Sequence, residues 1–140
     1  MNTYRVIYLS LFILILAGCS SSSSLNPLSL LMGKKWELSS LMGGSIAPGK
    51  FETGLPNLSF LDGGKLSGFA GCNNFSGGFS LEGTGIQLDP GAMTRMACPG
   101  TGESEFIAAL GKVKNFKVGK DKLTLMDGAT ELMSFIPKKD

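Results

Sequence analysis

The sequence predicts a mainly β domain of the α+β class, a barrel or strongly curled antiparallel sheet of about eight short strands with one helix. Three observations carry this reading. Glycine fills 20 of 140 positions, about twice ordinary usage, while charged residues make up only 17%. Turn-forming clusters recur at short intervals between apolar stretches that mostly alternate with period two. A single segment, after residue 101, spaces its apolar residues as a helix does.

The chain begins with a leader. Met1 to Gly18 holds one positive charge, Arg5, then an apolar run from Val6 to Leu16, then small residues. This is the build of a secretory signal peptide, and the run is too short to span a bilayer as a mature helix. Leu16-Ala17-Gly18-Cys19 resembles the lipobox of bacterial lipoproteins, which implies that Cys19 becomes the acylated first residue of the mature chain. An ordinary secreted protein cut near Gly18 is the alternative. Ser20 in second place resembles the pattern sorted to the outer membrane. The uncharged tract Ser20 to Ser24, followed by Leu25-Asn26-Pro27, has nothing to bury and reads as a flexible tether over residues 19–32. About 120 residues remain after cleavage, enough for one core and one domain over residues 33–138. Loss of Arg5 lowers the formal net charge from +2 to about +1, so no field exists to steer a nucleic acid.

Within the domain, Lys34 to Leu41 alternates so that Trp36 and Leu38 share the buried face of the first strand. Met42 to Ser45 ends it, and residues 46–56, with Pro48, Gly49, Gly54 and Pro56, form a loop. Leu58 to Leu61 and Lys65 to Ala70 form a hairpin, its turn Asp62-Gly63-Gly64 supplying the positive φ angles. Phe75 to Leu81 is a strand with Phe75, Phe79 and Leu81 inward and a bend or bulge at Gly77-Gly78. Ile86 to Leu88 is the next strand, Pro90-Gly91 turns the chain, and Met93 to Ala97 leads to Cys98. Thr101 or Gly102 can cap the helix. Glu103 and Glu105 suit its positive end, Phe106, Leu110 and Val113 make its stripe, and Lys112 and Lys114 sit near its C-terminus. Phe116 to Val118, Leu123 to Met126 and Leu132 to Ile136 close the domain as a meander.

With Cys19 set aside, Cys72 and Cys98 are the remaining cysteines, in a compartment where disulfides persist. A structural disulfide is the leading reading, since closing a loop of that length restricts the unfolded chain by roughly 3 to 4 kcal/mol in the chain-entropy model. A redox pair lacks the Cys-x-x-Cys spacing. Metal binding is weaker still, because the chain has no histidine.

The run Gly68 to Phe79, GFAGCNNFSGGF, followed by Met93 to Cys98, MTRMAC, resembles the signature of the META (HslJ-like) domain. Trp36-Glu37-Leu38, the helix from Glu105 to Leu110, and Phe116 to Phe135 are similar to its first strand, helix and closing strands. The motif residues are Gly71, Cys72, Asn73, Asn74, Thr94, Met96 and Cys98. Phe75 stands where the family often carries a hydroxylated aromatic. The resemblance implies a small incomplete antiparallel β-barrel with one helix. It implies association with stress, antibiotic tolerance, motility or virulence, but no common reaction.

The residues themselves offer little chemistry. Without histidine the Ser-His-Asp and Cys-His arrangements are absent, and the glycine-rich pieces lack the helix and lysine of a phosphate loop. The chain therefore reads as no enzyme, with no cofactor and no metal. Asn73-Asn74 could bind a ligand at a barrel mouth, but asparagines that turn the chain are the stronger reading. Thr94 and Arg95 could hold an anion, against a packing threonine and an exposed arginine. Lys112, Lys114, Lys117, Lys120 and Lys122 could face anionic lipid, against ordinary solvated lysines that protect an edge. Anchor, tether and stapled domain together suggest a non-enzymatic envelope lipoprotein that binds or stabilises another envelope component. The alternative is a carrier of a small hydrophobic ligand, its cavity lined by Phe and Met.

Overall fold

Short alternating strands leave one face of the sheet apolar, and the chain buries that face by curling the sheet on itself. The computed structural model describes residues 26–139, so the leader, Cys19 and the serine tract lie outside the described residues. Those residues form nine strands and two helices: α1 (Pro27–Leu31), β1 (Lys35–Leu41), β2 (Gly44–Ser45), β3 (Asn57–Leu61), β4 (Lys65–Phe69), β5 (Asn74–Glu82), β6 (Gly85–Met93), α2 (Gly102–Leu110), β7 (Asn115–Val118), β8 (Leu123–Asp127) and β9 (Thr130–Pro137). All strand pairings are antiparallel.

The sheet is ring-like. It runs β1-β3-β4-β5-β6-β7-β8-β9 and returns to β1, while β2 folds back on the end of β1 through Met42-Gly43, both with positive φ. The thin place in the ring lies between β6 and β7, which share one residue pair, Gly85 with Asn115. Trp36, Phe60, Phe106, Phe135, Leu31 and Leu125 are among the fully buried side chains that fill the centre. Helix α2 presses Phe106 between Phe75 of β5 and Phe135 of β9, with ring centroids 6.5 and 6.4 Å apart.

The structure departs from the sequence reading in several places. Residues 27–31, assigned above to the tether, are helix α1. Asn26 caps it by accepting from Leu28 N at 3.0 Å, and Pro27 occupies its first turn. Leu31 is buried, and its carbonyl accepts from Trp36 Nε1 at 2.9 Å, so the folded region starts before residue 33. There are thus two helices, where one is predicted. Pro90-Gly91 does not turn the chain but lies inside β6. The register slips between Phe75 and Ser76 of β5, which face Met93 and Gly91, so the bulge sits on β6 rather than at Gly77-Gly78. Past Gly85 the outer edge of β6 has no strand partner, which lets it tolerate a proline, and the Asp89 carboxylate accepts from Gly91 N at 2.9 Å. In the hairpin turn, Gly63 and Gly64 carry the positive φ angles and Asp62 does not. Helix α2 stops at Leu110, so Val113 is buried beyond its end and Lys112 and Lys114 follow it. Thr101 precedes the helix without a side-chain cap.

Candidate functional site

The two motif segments meet at one end of β4. Residues 70–73 join β4 to β5, and residues 94–98 leave β6 as irregular chain that crosses them. Asn73 is the centre of that crossing and is only 4% exposed. Its backbone carbonyl accepts from Ala70 N at 2.8 Å, holding the connection as a tight loop. Its side chain reaches the second segment: Oδ1 accepts from Met96 N at 2.7 Å and from the Thr94 hydroxyl at 2.9 Å, while Nδ2 donates to Met96 O at 3.1 Å.

Thr94 fixes which way that amide faces. Asn74 N donates to Thr94 Oγ1 at 3.1 Å, so the hydroxyl proton is free to go to Asn73 Oδ1. Thr94 N in turn donates to Asn74 O at 3.0 Å. The remaining donors of Asn73 face Glu103 in the first turn of α2. Nδ2 donates to Oε1 at 2.9 Å and the backbone N to Oε2 at 2.6 Å. The carboxylate thus sits at the positive end of the helix while holding the loop. Cys72 and Cys98 form a disulfide beside this network, with Cα atoms 6.2 Å apart.

A third segment packs on the same latch. Phe51, from the loop between β2 and β3, lies against Gly71 and Gly102. A Cβ on Gly71 would come within 2.3 Å of its ring, and one on Gly102 within 2.3 Å of Lys50 O. Gly71 also has φ +99°, so glycine meets two demands there. Thr53 Oγ1 donates to Gly71 O, and Lys50 Nζ lies 2.7 Å from Glu105 Oε2. The Lys50 ammonium, and after it the Thr101 hydroxyl donating at 2.6 Å, hold the Glu105 carboxyl below its ordinary range. Between Phe51, Met96, the disulfide and Glu103 lies an open cleft of about 270 Å³.

The structure therefore brings Gly71, Cys72, Asn73, Asn74, Thr94, Met96 and Cys98 together, but in different roles. Asn73 is buried and Asn74 exposed. Neither turns the chain through a left-handed conformation; Gly71 supplies the positive φ instead. Thr94 is a hydrogen-bond relay rather than a packing residue, and Arg95 is exposed. Met96 contributes its backbone to Asn73, and its side chain is 58% exposed. Phe75, where the family often has a hydroxyl, is buried against Phe106. Sequence reasoning missed Glu103 as the partner of Asn73, seeing only a helix-end charge, and missed Phe51 altogether. With both lone-pair directions of Oδ1 and both hydrogens of Nδ2 engaged, Asn73 holds three segments together and has no polar valence left for a ligand.

A family model, META domain, matches residues 29–140. No curated protein matches the chain. Among solved structures, an NMR structure of a protein from Burkholderia xenovorans is 24% identical with a TM-score of 0.62, covering 81% of this chain and 87% of that one. A second NMR structure is 23% identical with a TM-score of 0.61, over 80% and 96%. The crystal structure of a DUF4847 family protein from Bacteroides vulgatus is 16% identical with a TM-score of 0.58, over 79% and 96%. At these identities the likeness is one of fold.

Proposed function

Since the chain belongs to the META domain family, we propose that it is a lipid-anchored protein of the bacterial envelope, held in the outer membrane through Cys19. Its domain, non-enzymatic, binds or stabilises another envelope component under stress. The observation that supports this best is that the motif residues spend their hydrogen bonds on one another. What remains is a rigid shape, with the exposed Met96 side chain and the open cleft beside Phe51 as a surface for a protein partner. The lipobox-like run ending in Cys19 supports the anchor. The carrier reading draws no support from the core, whose centre is occupied by Trp36, Phe60, Phe106 and Phe135.

The test is photo-crosslinking in intact envelopes from a reactive analogue at position 96 of the full chain, with position 117 as control. A single protein adduct specific to position 96 is expected, and mass spectrometry of the mature N-terminal peptide should find Cys19 carrying a thioether-linked diacylglyceryl group and an amide-linked acyl chain. No adduct, combined with a lipid co-purifying in native mass spectrometry, would replace this reading by the carrier.

A further inference from the structure

The end of the ring away from the latch carries an apolar hollow that the motif residues do not explain. Leu28 and Met32 of the α1 region, Leu61 beside the β3–β4 turn, and Phe79 and Leu81 of β5 line a cleft of about 250 Å³. Leu61 is 45% exposed, and Phe79 packs edge-on against Phe60 with centroids 5.0 Å apart. Lysines lie at this end. Lys34 follows α1 and donates to Lys120 O at 3.0 Å, and Lys65 pairs with Leu61 across the turn. Lys122 accepts through its carbonyl from Gly119 N in the same turn as Lys120, and Lys35 accepts in the same way from Lys138 N. The carboxylates at this end are fewer: Asp62, which lines the hollow, then Glu82 and Asp121 in the turns after β5 and β7, with Glu37 already paired to Lys138 at 3.0 Å.

From this we infer that the α1 end is a membrane-docking face, which seats its apolar hollow on the anionic surface of the bilayer that holds the anchor. The inference rests on the proposed acylation of Cys19. Two facts commit the hollow to a bilayer. The chain enters the described structure at Asn26, two residues before Leu28 in the hollow and seven after Cys19. Seven residues span at most roughly 25 Å when fully extended, so an acylated Cys19 keeps this end close to the lipid. The excess of lysines over carboxylates at this end, beside an apolar hollow, also suits an anionic interface, where apolar side chains enter the headgroup boundary and lysines meet the headgroups. Docked this way, the domain turns its latch end, at the far end of β4, away from the membrane.

The experiment uses the full mature lipidated chain in vesicles of phosphatidylcholine with or without phosphatidylglycerol, with brominated acyl chains as quenchers. Trp36 is buried and gives a constant background. Two exposed positions report separately, Leu61→Trp in the hollow and Met96→Trp at the latch. Quenching of the Leu61→Trp signal several-fold stronger than that of Met96→Trp, enhanced by phosphatidylglycerol and weakened by Lys65→Glu with Lys122→Glu, is the expected result. Vesicle association with the Leu61→Trp signal unquenched, or with both reporters quenched alike, overturns docking and leaves the anchor standing. A concentration-dependent blue shift of Leu61→Trp without vesicles assigns the hollow to a second copy and also overturns it. Failure of the chain to float with vesicles at all overturns both the anchor and the docking face.

Discussion

Asn73 and Glu103, thirty positions apart, are joined twice, the backbone N of Asn73 to Oε2 at 2.6 Å and its Nδ2 to Oε1 at 2.9 Å. One carboxylate thereby ties the β4–β5 connection to the start of α2, and the other side of the same amide ties in the chain at Met96. A network satisfied throughout in this way stabilises more than its separate bonds suggest, because losing one member leaves the others buried and unpaired.

Asn73→Ala should therefore destabilise the domain by about 3 kcal/mol, measured by chemical denaturation. Asn73→Asp keeps the shape but sets a second carboxylate against Glu103. Its deficit relative to the parent should be greatest near neutrality and shrink as pH falls and the repulsion is neutralised. A deficit that is independent of pH would mean that the two carboxylates do not face each other.

How much of this the sequence disclosed depended on the range of the contact. The hairpin predicted from Leu58 to Ala70 and the meander predicted from Phe116 to Ile136 follow from local alternation and glycine turns, and β3–β4 and β7–β9 lie there with ends shifted by one or two residues. Helix α1 was hidden because five residues after a serine tract have no helical period to detect, and their burial is decided by Trp36 reaching back to Leu31. The strand β6 was cut short because Pro90-Gly91 is also what a turn looks like. Its position on an unpaired edge lets the strand run on through this pair, and the bulge falls just after it, between Gly91 and Met93. The motif residues could be named in the sequence, but not their roles. The Thr94 relay and the Glu103 clasp are contacts between segments 21 and 30 residues apart, which no local pattern encodes.

The Cys72–Cys98 bond closes a separation of 26 residues across the same latch. Replacing both cysteines by alanine should remove roughly 3 to 4 kcal/mol in the chain-entropy model, yet leave a folded domain, because the Asn73 network holds the same two segments. Denaturation of the parent under reductant should coincide with that of the double variant. Complete unfolding of the double variant in buffer would show that the hydrogen bonds cannot hold the latch alone.

Gly102 opens α2, where alanine would ordinarily favour the helix. Here a Cβ would meet Lys50 O at 2.3 Å and the Phe51 ring at 2.9 Å. Gly102→Ala should thus destabilise by about 2 kcal/mol, with part of the loss restored by Phe51→Ala in a double-mutant cycle. Gly100→Ala is the comparison: it has φ +84° but open space around it, and should cost about 1 kcal/mol without coupling to Phe51.

Glu105 gives a pH dependence of known sign. Its carboxyl is depressed in the folded state by Lys50 and Thr101, so the stability it adds is present above the unfolded-state pKa and is lost as pH falls through the folded one. Glu105→Gln should accordingly change stability slightly at neutral pH and not at all in acid, and salt should diminish the difference, because the pair is solvent-exposed.

The last prediction concerns where the domain begins. Leu31 is fully buried and its carbonyl receives the Trp36 indole N–H, so α1 belongs to the folded domain although it reads as tether. A chain started at Gly33 should lose the burial of Leu31 and leave Trp36 Nε1 without its acceptor, while a chain started at Leu25 should retain the stability of the mature protein. Within the full chain, Leu31→Ala should cost about 2 to 5 kcal/mol through the cavity it leaves. Trp36→Phe should cost about 1 to 3 kcal/mol, since it strands a buried carbonyl. Equal stability of the chains begun at Leu25 and Gly33 would return α1 to the tether and detach the hollow beside it from the folded domain.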